Sequence, residues 1–279
     1  MNTVKTVLLL GLLSGLMLFL GEAFGGRNGL YIGLFLAIAM NFVSYFFSDK
    51  LALATYSAQP VTPQQNSSVY ARVAPIVAGL AQRMSIPMPK LWVIDDPSPN
   101  AFATGRNPEH ASVAFTAGIL QAMSDDEIEG VVAHELGHVL HRDILISSVA
   151  ATLATAITFL SRMSFFFGGR RDDEEEGGGW SGLLMIVLAP IAAMLIQMAI
   201  SRSREFDADA ASAKFTGNSY KLISALKKLD AYSQRLPLEA TPSTAHLFII
   251  QPFTGQALMR LFSTHPSTAD RIARLQAIH

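Results

Sequence analysis

Four long apolar runs that contain no charged residue constrain this 279-residue chain more than any other feature. The runs are residues 6–21, 28–48, 144–161 and 177–201. A helix needs about 20 apolar residues to cross a bilayer, and the second and fourth runs meet that length on their own. The third run meets it when it continues past Arg162 to residue 167, and the first run is the shortest. We therefore expect four transmembrane helices.

The first run has an alternative interpretation, because a positive residue before a short apolar stretch also describes a secretory signal peptide. Lys5 would then be its positive end, but Gly21-Glu22-Ala23 is a poor cleavage site, which favours a retained span. Composition agrees with a membrane protein: 50% of the residues are hydrophobic, 15% are charged, and the mean hydropathy is +0.33. The formal net charge of −1 offers no basic excess for binding nucleic acid.

Polar segments between these runs divide the chain into four parts. Residues 1–48 are expected to form an N-terminal transmembrane hairpin, and residues 144–201 a second one. Residues 49–143 and 202–279 are then the two parts of one domain on one side of the membrane. Three short β-like segments, at 90–94, 101–105 and 112–116, predict a small sheet in its first part. The predicted fold is a mainly α-helical membrane protein with a small β-sheet.

A second constraint is chemical, since residues 134–138 read H-E-L-G-H and fit the H-E-x-x-H pattern of a helix-borne zinc site. On a helix, His138 lies about 40° round from His134 and one turn further on, so both imidazoles can reach one metal ion. Glu135 points to the side of this pair, where a base for a water molecule belongs. Ser124 and Glu127 predict a capping box at the start of this helix. The chain has no cysteine, so any further ligand must be a histidine or a carboxylate.

Glu205 is the best candidate for a third ligand, since a catalytic zinc ion needs three from the protein. The third and fourth runs would carry the chain across the membrane and back, so Glu205 would return to the side on which His138 lies. Asp209, one turn after Glu205, can accept a hydrogen bond from the free ring nitrogen of a ligand histidine. In the alternative, both carboxylates lie on a solvated helix face and pair with Arg202 or Arg204.

Two further sets of residues are candidates for contacts with a peptide substrate. Hydrolysis needs a second donor to the oxyanion besides the metal, and His265 is the candidate, with an ordinary surface or core histidine as the alternative. Asn100 and strand 112–116, which includes Val113 and Phe115, can pair with an extended substrate by strand addition, unless they only form the sheet.

Four stretches together resemble the bacterial HtpX membrane metalloproteases and, more distantly, the type-I CAAX prenyl proteases. They read H-E-L-G-H at 134–138, S-R-x-R-E-F-x-A-D-A at 201–210, P-N-A-F-A-T-G at 99–105 and S-T-H-P-S-T-A-D-R-I at 263–272. They occur in the order found in that family, and the resemblance covers nearly the whole chain. It implies a gluzincin-type zinc metalloprotease domain that binds one Zn²⁺ per chain.

The resemblance also implies roles for individual residues. The implied zinc ligands are His134, His138 and Glu205. Glu135 is the implied base, Asp209 supports a ligand histidine, and His265 lies near the oxyanion. The implied protein is a multi-pass endopeptidase of the bacterial cytoplasmic membrane whose active site faces the cytoplasm and whose substrates are misfolded or damaged membrane proteins under stress. The polar loop at 168–179 departs from the family pattern and receives no function.

Two other functions are compatible with these motifs. An intramembrane zinc protease would place H-E-x-x-H inside a span, but the nearby Glu127, Glu129, Arg142 and Asp143 are costly at mid-bilayer. A zinc-stabilised membrane scaffold or chaperone without proteolysis would need a fourth protein ligand to close its site. Positive charge near the spans is greater on the side of the large domain, which favours the cytoplasm for that side. No feature of the sequence specifies an oligomeric state.

Overall fold

The computed structural model describes residues 2–147, 149, 202–235 and 266–278. Its helices are α1 (Asn2–Phe46), α2 (Ser48–Thr55), α3 (Ser67–Arg83), α4 (Ala117–Ala122), α5 (Asp125–Leu140), α6 (Arg202–Thr216), α7 (Tyr220–Arg235) and α8 (Thr268–Gln276). Its strands are β1 (Gln59–Pro60), β2 (Lys90–Ile94), β3 (Ala101–Gly105) and β4 (Ala111–Thr116). The described part is mainly helical with a small mixed sheet, which confirms that element of the predicted fold.

The sheet has the strand order β1-β2-β4-β3, with β2 and β4 parallel and the other pairs antiparallel. β4 is therefore an inner strand, and the side chains of Val113 and Phe115 are 0% exposed. The prediction that a substrate pairs with this strand was wrong, because β2 and β3 already occupy both of its edges. Asn100 precedes β3, and its backbone is tied to β4 through N–H donation to Oγ1 of Thr116 at 2.9 Å.

α5 is the central helix and contacts α3, α6, α7 and β3. Its apolar residues Ile128, Val132 and Leu136 are buried in the main core. The predicted capping box is present: the backbone N–H of Ser124 donates to Oε2 of Glu127 at 2.8 Å, and Oγ of Ser124 accepts from the backbone N–H of Glu127. The helix that carries H-E-x-x-H is thus held both at its start and along its length.

Two glycines on α5 allow neighbouring helices to approach its backbone. A Cβ atom added at Gly137 would lie 3.1 Å from Cα of Ala208 on α6, and one at Gly130 would lie 2.6 Å from the backbone nitrogen of Leu222 on α7. Oγ of Ser212 on α6 also donates to the carbonyl of Gly130 at 2.7 Å. A glycine inside a helix costs about 1 kcal/mol relative to alanine. Here that cost is offset by close packing that places α6 against the H-E-x-x-H helix.

Glu127 also links the start of α5 to α7. Its carboxylate accepts hydrogen bonds from Nζ of Lys228 at 2.7 Å and Oγ of Ser224 at 2.6 Å. Burial raises the pKa of Glu127, but the bonds from Lys228, Ser224 and Ser124 outweigh burial and lower this pKa from 4.5 to about 2. The ionised carboxylate therefore stabilises the folded chain fully above pH 4.5, and this contribution is lost as the pH falls towards 2.

We expect Glu127→Gln to lower the free energy of unfolding by about 2 kcal/mol at pH 7, since it removes the charge that these donors stabilise. The difference from the wild type should shrink as the pH falls from 4.5 towards 2. Denaturant unfolding of both proteins in detergent across this range measures it, with the exposed Glu109→Gln as control. A difference that is independent of pH would contradict this role.

α1 is a helical hairpin that reverses at Gly26, whose φ of 55° favours glycine. Its two arms pack closely, since a Cβ atom added at Gly21 would lie 2.3 Å from the carbonyl oxygen of Gly29. Nδ2 of Asn41 donates across the arms to Oγ of Ser14 at 2.8 Å. The arms contain the first two apolar runs of the sequence.

Within the ranges that the structure covers, one helical segment is long and apolar enough to cross a membrane. It is Gly25–Val43, with 19 residues, of which 17% are buried. The apolar helix Thr6–Phe19 in the first arm is shorter. The third run lies outside the described residues except for 144–147 and 149, and the fourth lies wholly outside them. One candidate span is therefore seen, and four spans stay a prediction.

Candidate active site

α5 and α6 bring the three candidate metal ligands together. Nε2 of His134 lies 3.7 Å from Oε2 of Glu205, and Nε2 of His138 lies 3.6 Å from Oε1 of the same carboxylate. One possible ligand atom from each residue lies within 4.8 Å of the others. Close packing of α6 at Gly137 accounts for this approach, since Glu205 lies one turn before the contact with Ala208.

The other ring nitrogen of each histidine faces a carboxylate. Nδ1 of His134 is 2.9 Å from Oδ1 of Asp209, and Nδ1 of His138 is 3.4 Å from Oδ2 of Asp143. Donation from Nδ1–H to a carboxylate leaves Nε2 as the unprotonated nitrogen, and in both rings Nε2 faces Glu205. This is the arrangement that two neutral histidine ligands require.

Asp143 is a partner that the helical spacing did not indicate. α5 ends at Leu140, and Arg142 adopts a left-handed conformation with a φ of 58°. This turn brings Asp143 back, with its backbone N–H donating to the carbonyl of His138 at 2.8 Å. A pattern of helical repeats ends where the helix ends, so the sequence gives no direct signal for this contact.

Glu135 lies beside the two histidines and is 7% exposed. Its Oε2 accepts a hydrogen bond from the backbone N–H of Ala103 on the edge strand β3, at 2.9 Å. Burial raises the pKa of Glu135, and the opposing effects of His134, His138 and the Ala103 bond do not cancel this rise. A carboxylate with a raised pKa is suited to take up and return a proton near neutral pH.

Arg271 on α8 is the main site residue that sequence reasoning missed. It is 1% exposed, and its Nε and Nη2 donate to Oδ2 and Oδ1 of Asp209 at 2.9 and 2.6 Å. Its Nη2 also lies 3.3 Å from Nδ1 of His134, and its Nη1 lies 3.9 Å from Oε2 of Glu205. Arg271 belongs to the stretch 263–272, but nothing in its spacing connects it to a partner 62 residues away.

Arg271 keeps the carboxylate of Asp209 ionised and oriented towards Nδ1 of His134. Burial raises the pKa of Asp209, but the charge of Arg271 and the bond from His134 outweigh burial and lower this pKa to about 2. Asp209 is therefore ionised at any physiological pH. An ionised acceptor at this position favours the Nδ1–H tautomer of His134.

The buried charges of this site favour a divalent cation. Within the described residues, four buried carboxylates and two buried guanidinium groups surround the histidines. They are Glu135, Asp143, Glu205, Asp209, Arg204 and Arg271. With neutral imidazoles and all four carboxylates ionised, this set has an excess of two negative charges, which is costly in a low-dielectric interior unless a cation binds.

His138 responds to the same excess of negative charge. Burial lowers the pKa of His138, but the bond to Asp143 and the charge of Glu205 outweigh burial and raise this pKa to about 9. A proton thus binds where a metal ion would. Two imidazole nitrogens and one carboxylate oxygen are a typical donor set for catalytic zinc. The residues present fit a zinc ion in both charge and donor type.

A helix-borne H-E-x-x-H facing a carboxylate on a second helix, with a buried glutamate beside it, is the arrangement of a metalloprotease. The chain belongs to peptidase family M48, whose family model matches residues 67–279. It is 50% identical over 280 residues to a protein of Desulforapulum autotrophicum called Protease HtpX homolog, covering 99% of this chain and 89% of that protein. It is also 50% identical over 282 residues to a protein of Thermodesulfovibrio yellowstonii with the same name, covering 100% and 99% of the two chains.

The crystal structure of S. mikatae Ste24p is similar with a TM-score of 0.51 and 21% sequence identity. The similarity covers 98% of this chain and 65% of that one, and at this identity it supports the fold alone. The resemblance to HtpX proteases that the four motifs indicate is confirmed, as is the assignment to the metalloproteases. The family implies a metal ion, and the described residues offer one group of three that could hold it.

The remaining predicted site residues are not part of this cluster. His265 lies in the segment between 235 and 266, for which the structure gives no description, so its proposed contact with the oxyanion stays a prediction. Val113 and Phe115 belong to the core of the sheet. Asn100 lies immediately before the edge strand that holds Glu135, and its role towards a substrate stays a prediction.

We expect Arg271→Met to destabilise the fold by about 3 kcal/mol, because removing one partner of a buried ion pair leaves the other charge uncompensated. Adding Asp209→Asn to this variant should recover part of the loss. Denaturant unfolding of the four proteins of this double-mutant cycle measures the coupling. Arg274→Met is the control, since Arg274 lies on the same helix but is exposed over the ring of Phe206. Equal stability of the Arg271 and Arg274 variants would exclude this role.

Proposed function

We propose that this chain is a membrane-bound zinc endopeptidase that hydrolyses peptide bonds on the cytoplasmic side of a bacterial cytoplasmic membrane. Misfolded or damaged membrane proteins are the proposed substrates, in a quality-control role under stress. The observation that carries the proposal is the convergence of His134, His138 and Glu205, with Glu135 held beside them. Membership of family M48 supports the reaction, and names such as Protease HtpX homolog support the kind of protease.

In this proposal His134, His138 and Glu205 hold one zinc ion. A zinc ion bound by these residues would polarise the scissile carbonyl and lower the pKa of a bound water molecule. Glu135 takes the proton of the attacking water and passes it to the leaving amine. The bond from Ala103 to Oε2 fixes the orientation of this carboxylate, so Oε1 is the oxygen assigned to the proton.

The remaining groups act on these four residues or on the substrate. Asp209 and Asp143 hold the two imidazole rings through Nδ1, and Arg271 holds Asp209. His265 is assigned to the oxyanion, where a second donor is needed. An extended substrate is assigned to the segment beside Asn100, because this segment leads into β3, the edge strand whose Ala103 holds Glu135.

The attachment to the membrane is assigned to α1. The span Gly25–Val43 is apolar and mostly unburied, as expected for a helix in contact with lipid. α5, by contrast, packs against a sheet and three helices, and at its start the buried Glu127 pairs with the exposed Lys228. This favours a site outside the bilayer over an intramembrane protease, since polar groups at a helix start are costly in lipid.

The test is cleavage of casein and of an unfolded membrane protein by the full-length chain purified in detergent. We expect cleavage to stop in a zinc chelator and to return when one equivalent of zinc is restored. Cleavage that resists complete zinc removal would contradict the proposal. A tag after His279 should be protected from added protease in spheroplasts and degraded after lysis, and the opposite result would reverse the proposed orientation.

A further inference from the structure

A separate pocket lies where the second arm of α1 ends. It has a volume of about 390 Å³ and lies between the end of this arm and the connection from β3 to β4. The rings of Phe42, Phe46 and Phe47 line one side and are 39–55% exposed. None of the candidate active-site residues lines it, so it is distinct from the site of hydrolysis.

Three cationic side chains line the same pocket. Nζ of Lys50 lies 5.2 Å from the ring centre of Phe47, Cζ of Arg106 lies 5.4 Å from that of Phe46, and Lys90 completes the set. Among the residues that the structure describes, no carboxylate forms an ion pair with any of them. Two acidic residues also line the pocket, Asp49 and Glu109, so the lining has an excess of one positive charge.

His110 orients the guanidinium group of Arg106. Nε2 of His110 is 2.8 Å from Nη2 of Arg106, and Nδ1 is 2.8 Å from Oδ1 of Asn107. A guanidinium only donates, so Nε2 accepts and Nδ1 carries the hydrogen that is donated to Asn107. The imidazole therefore fixes one edge of Arg106 without neutralising its charge. The other N–H groups of the planar guanidinium are suited to an anion such as a phosphate.

We propose that this pocket binds the phosphate group of an anionic phospholipid. The candidate span ends at Val43, so the pocket that begins at Phe42 lies at the depth of the lipid headgroups. The pocket is large enough for a headgroup, and its exposed phenylalanine rings continue into the unburied apolar face of α1, along which acyl chains would lie. A free phosphate ion would meet the same cations but would leave this apolar wall without a partner. This inference rests on one part of the proposed function, which is that α1 lies in the membrane.

The test uses the full-length chain in detergent. Native mass spectrometry counts bound lipids while the protein is titrated with phosphatidylglycerol or with zwitterionic phosphatidylcholine. We expect preferential binding of phosphatidylglycerol, and we expect Lys50→Gln with Arg106→Gln to weaken it about tenfold without affecting phosphatidylcholine. Lys227→Gln is the matched control, since this exposed lysine lies on α7 and does not line the pocket.

Three outcomes would overturn this inference. The first is equal phosphatidylglycerol binding by the double variant and the Lys227→Gln control. The second is equal binding of the two lipids by the protein in which Lys50 and Arg106 are unchanged. The third is displacement of phosphatidylglycerol by an equal concentration of inorganic phosphate. The last outcome would identify a site for a soluble anion. Thermal unfolding of each variant verifies that the fold is retained. Because no step depends on proteolysis, the result is independent of whether the proposed peptidase activity is found.

Discussion

Glu135→Gln is expected to lower the rate of peptide hydrolysis about 10³-fold while leaving the zinc content of the protein unchanged. Glutamine has nearly the same shape, and its amide oxygen can still accept the N–H of Ala103, so the side chain keeps its place. It cannot take up a proton at neutral pH, and the assigned base is therefore lost. Steady-state cleavage of a fluorogenic peptide together with the metal content of the same preparation measures both effects.

Glu129→Gln is the matched control for this variant. It makes the same chemical change on the same helix, at a residue whose carboxylate pairs with Lys221 and is remote from the histidines. We expect its cleavage rate to remain within about twofold of the wild type, since it contacts no reacting group. Retained cleavage by Glu135→Gln would exclude Glu135 as the base, whatever its zinc content.

Glu205→Ala is expected to weaken zinc binding by more than about 100-fold and to abolish hydrolysis, because it removes the carboxylate that faces both Nε2 atoms. It also removes one of the negative charges that a bound cation would balance. Dialysis against zinc buffers of graded strength, followed by measurement of bound metal, gives the change in affinity. This variant and Glu135→Gln should therefore differ in metal content although both are inactive.

Asp207→Asn provides the comparison for Glu205→Ala, since Asp207 is an exposed carboxylate two residues further along α6. Its zinc affinity should equal that of the wild type. If Glu205→Ala kept wild-type affinity, the third ligand would have to be sought elsewhere in the chain. If both variants lost zinc equally, general charge near α6 rather than direct coordination would explain the effect.

The elements that sequence patterns predicted well are those that local interactions determine. The helix of H-E-x-x-H begins at its capping box because Ser124 and Glu127 bond each other within one turn. The strands at 90–94 and 101–105 have the predicted bounds, since their apolar runs are bounded by turn residues. Asp209 was found through its helical spacing from Glu205, which needs no knowledge of the tertiary structure.

The order of strands was not predictable in the same way. The sequence leaves open whether strand 112–116 pairs with a substrate or only forms the sheet, and long-range pairing makes it the inner strand. Arg271 and Asp143 were missed for related reasons. One reaches its partner across 62 residues, and the other does so through a left-handed turn after the helix end. Contacts that depend on tertiary packing leave no periodic signal in a single sequence.

The candidate site is built mainly by helix packing. α6 lies against α5 because Gly137 has no side chain and Ala208 and Ala211 have small ones. This contact brings Glu205 towards His134 and His138.

The most direct test of the central claim is anomalous diffraction from crystals of the full-length chain, recorded on both sides of the zinc absorption edge. We expect one zinc peak per chain, within about 2.0–2.2 Å of Nε2 of His134, Nε2 of His138 and a carboxylate oxygen of Glu205. One coordination position should remain open to solvent. A zinc peak remote from Glu205, or a fourth protein ligand that closes the site, would contradict the assignment of these residues to a catalytic centre.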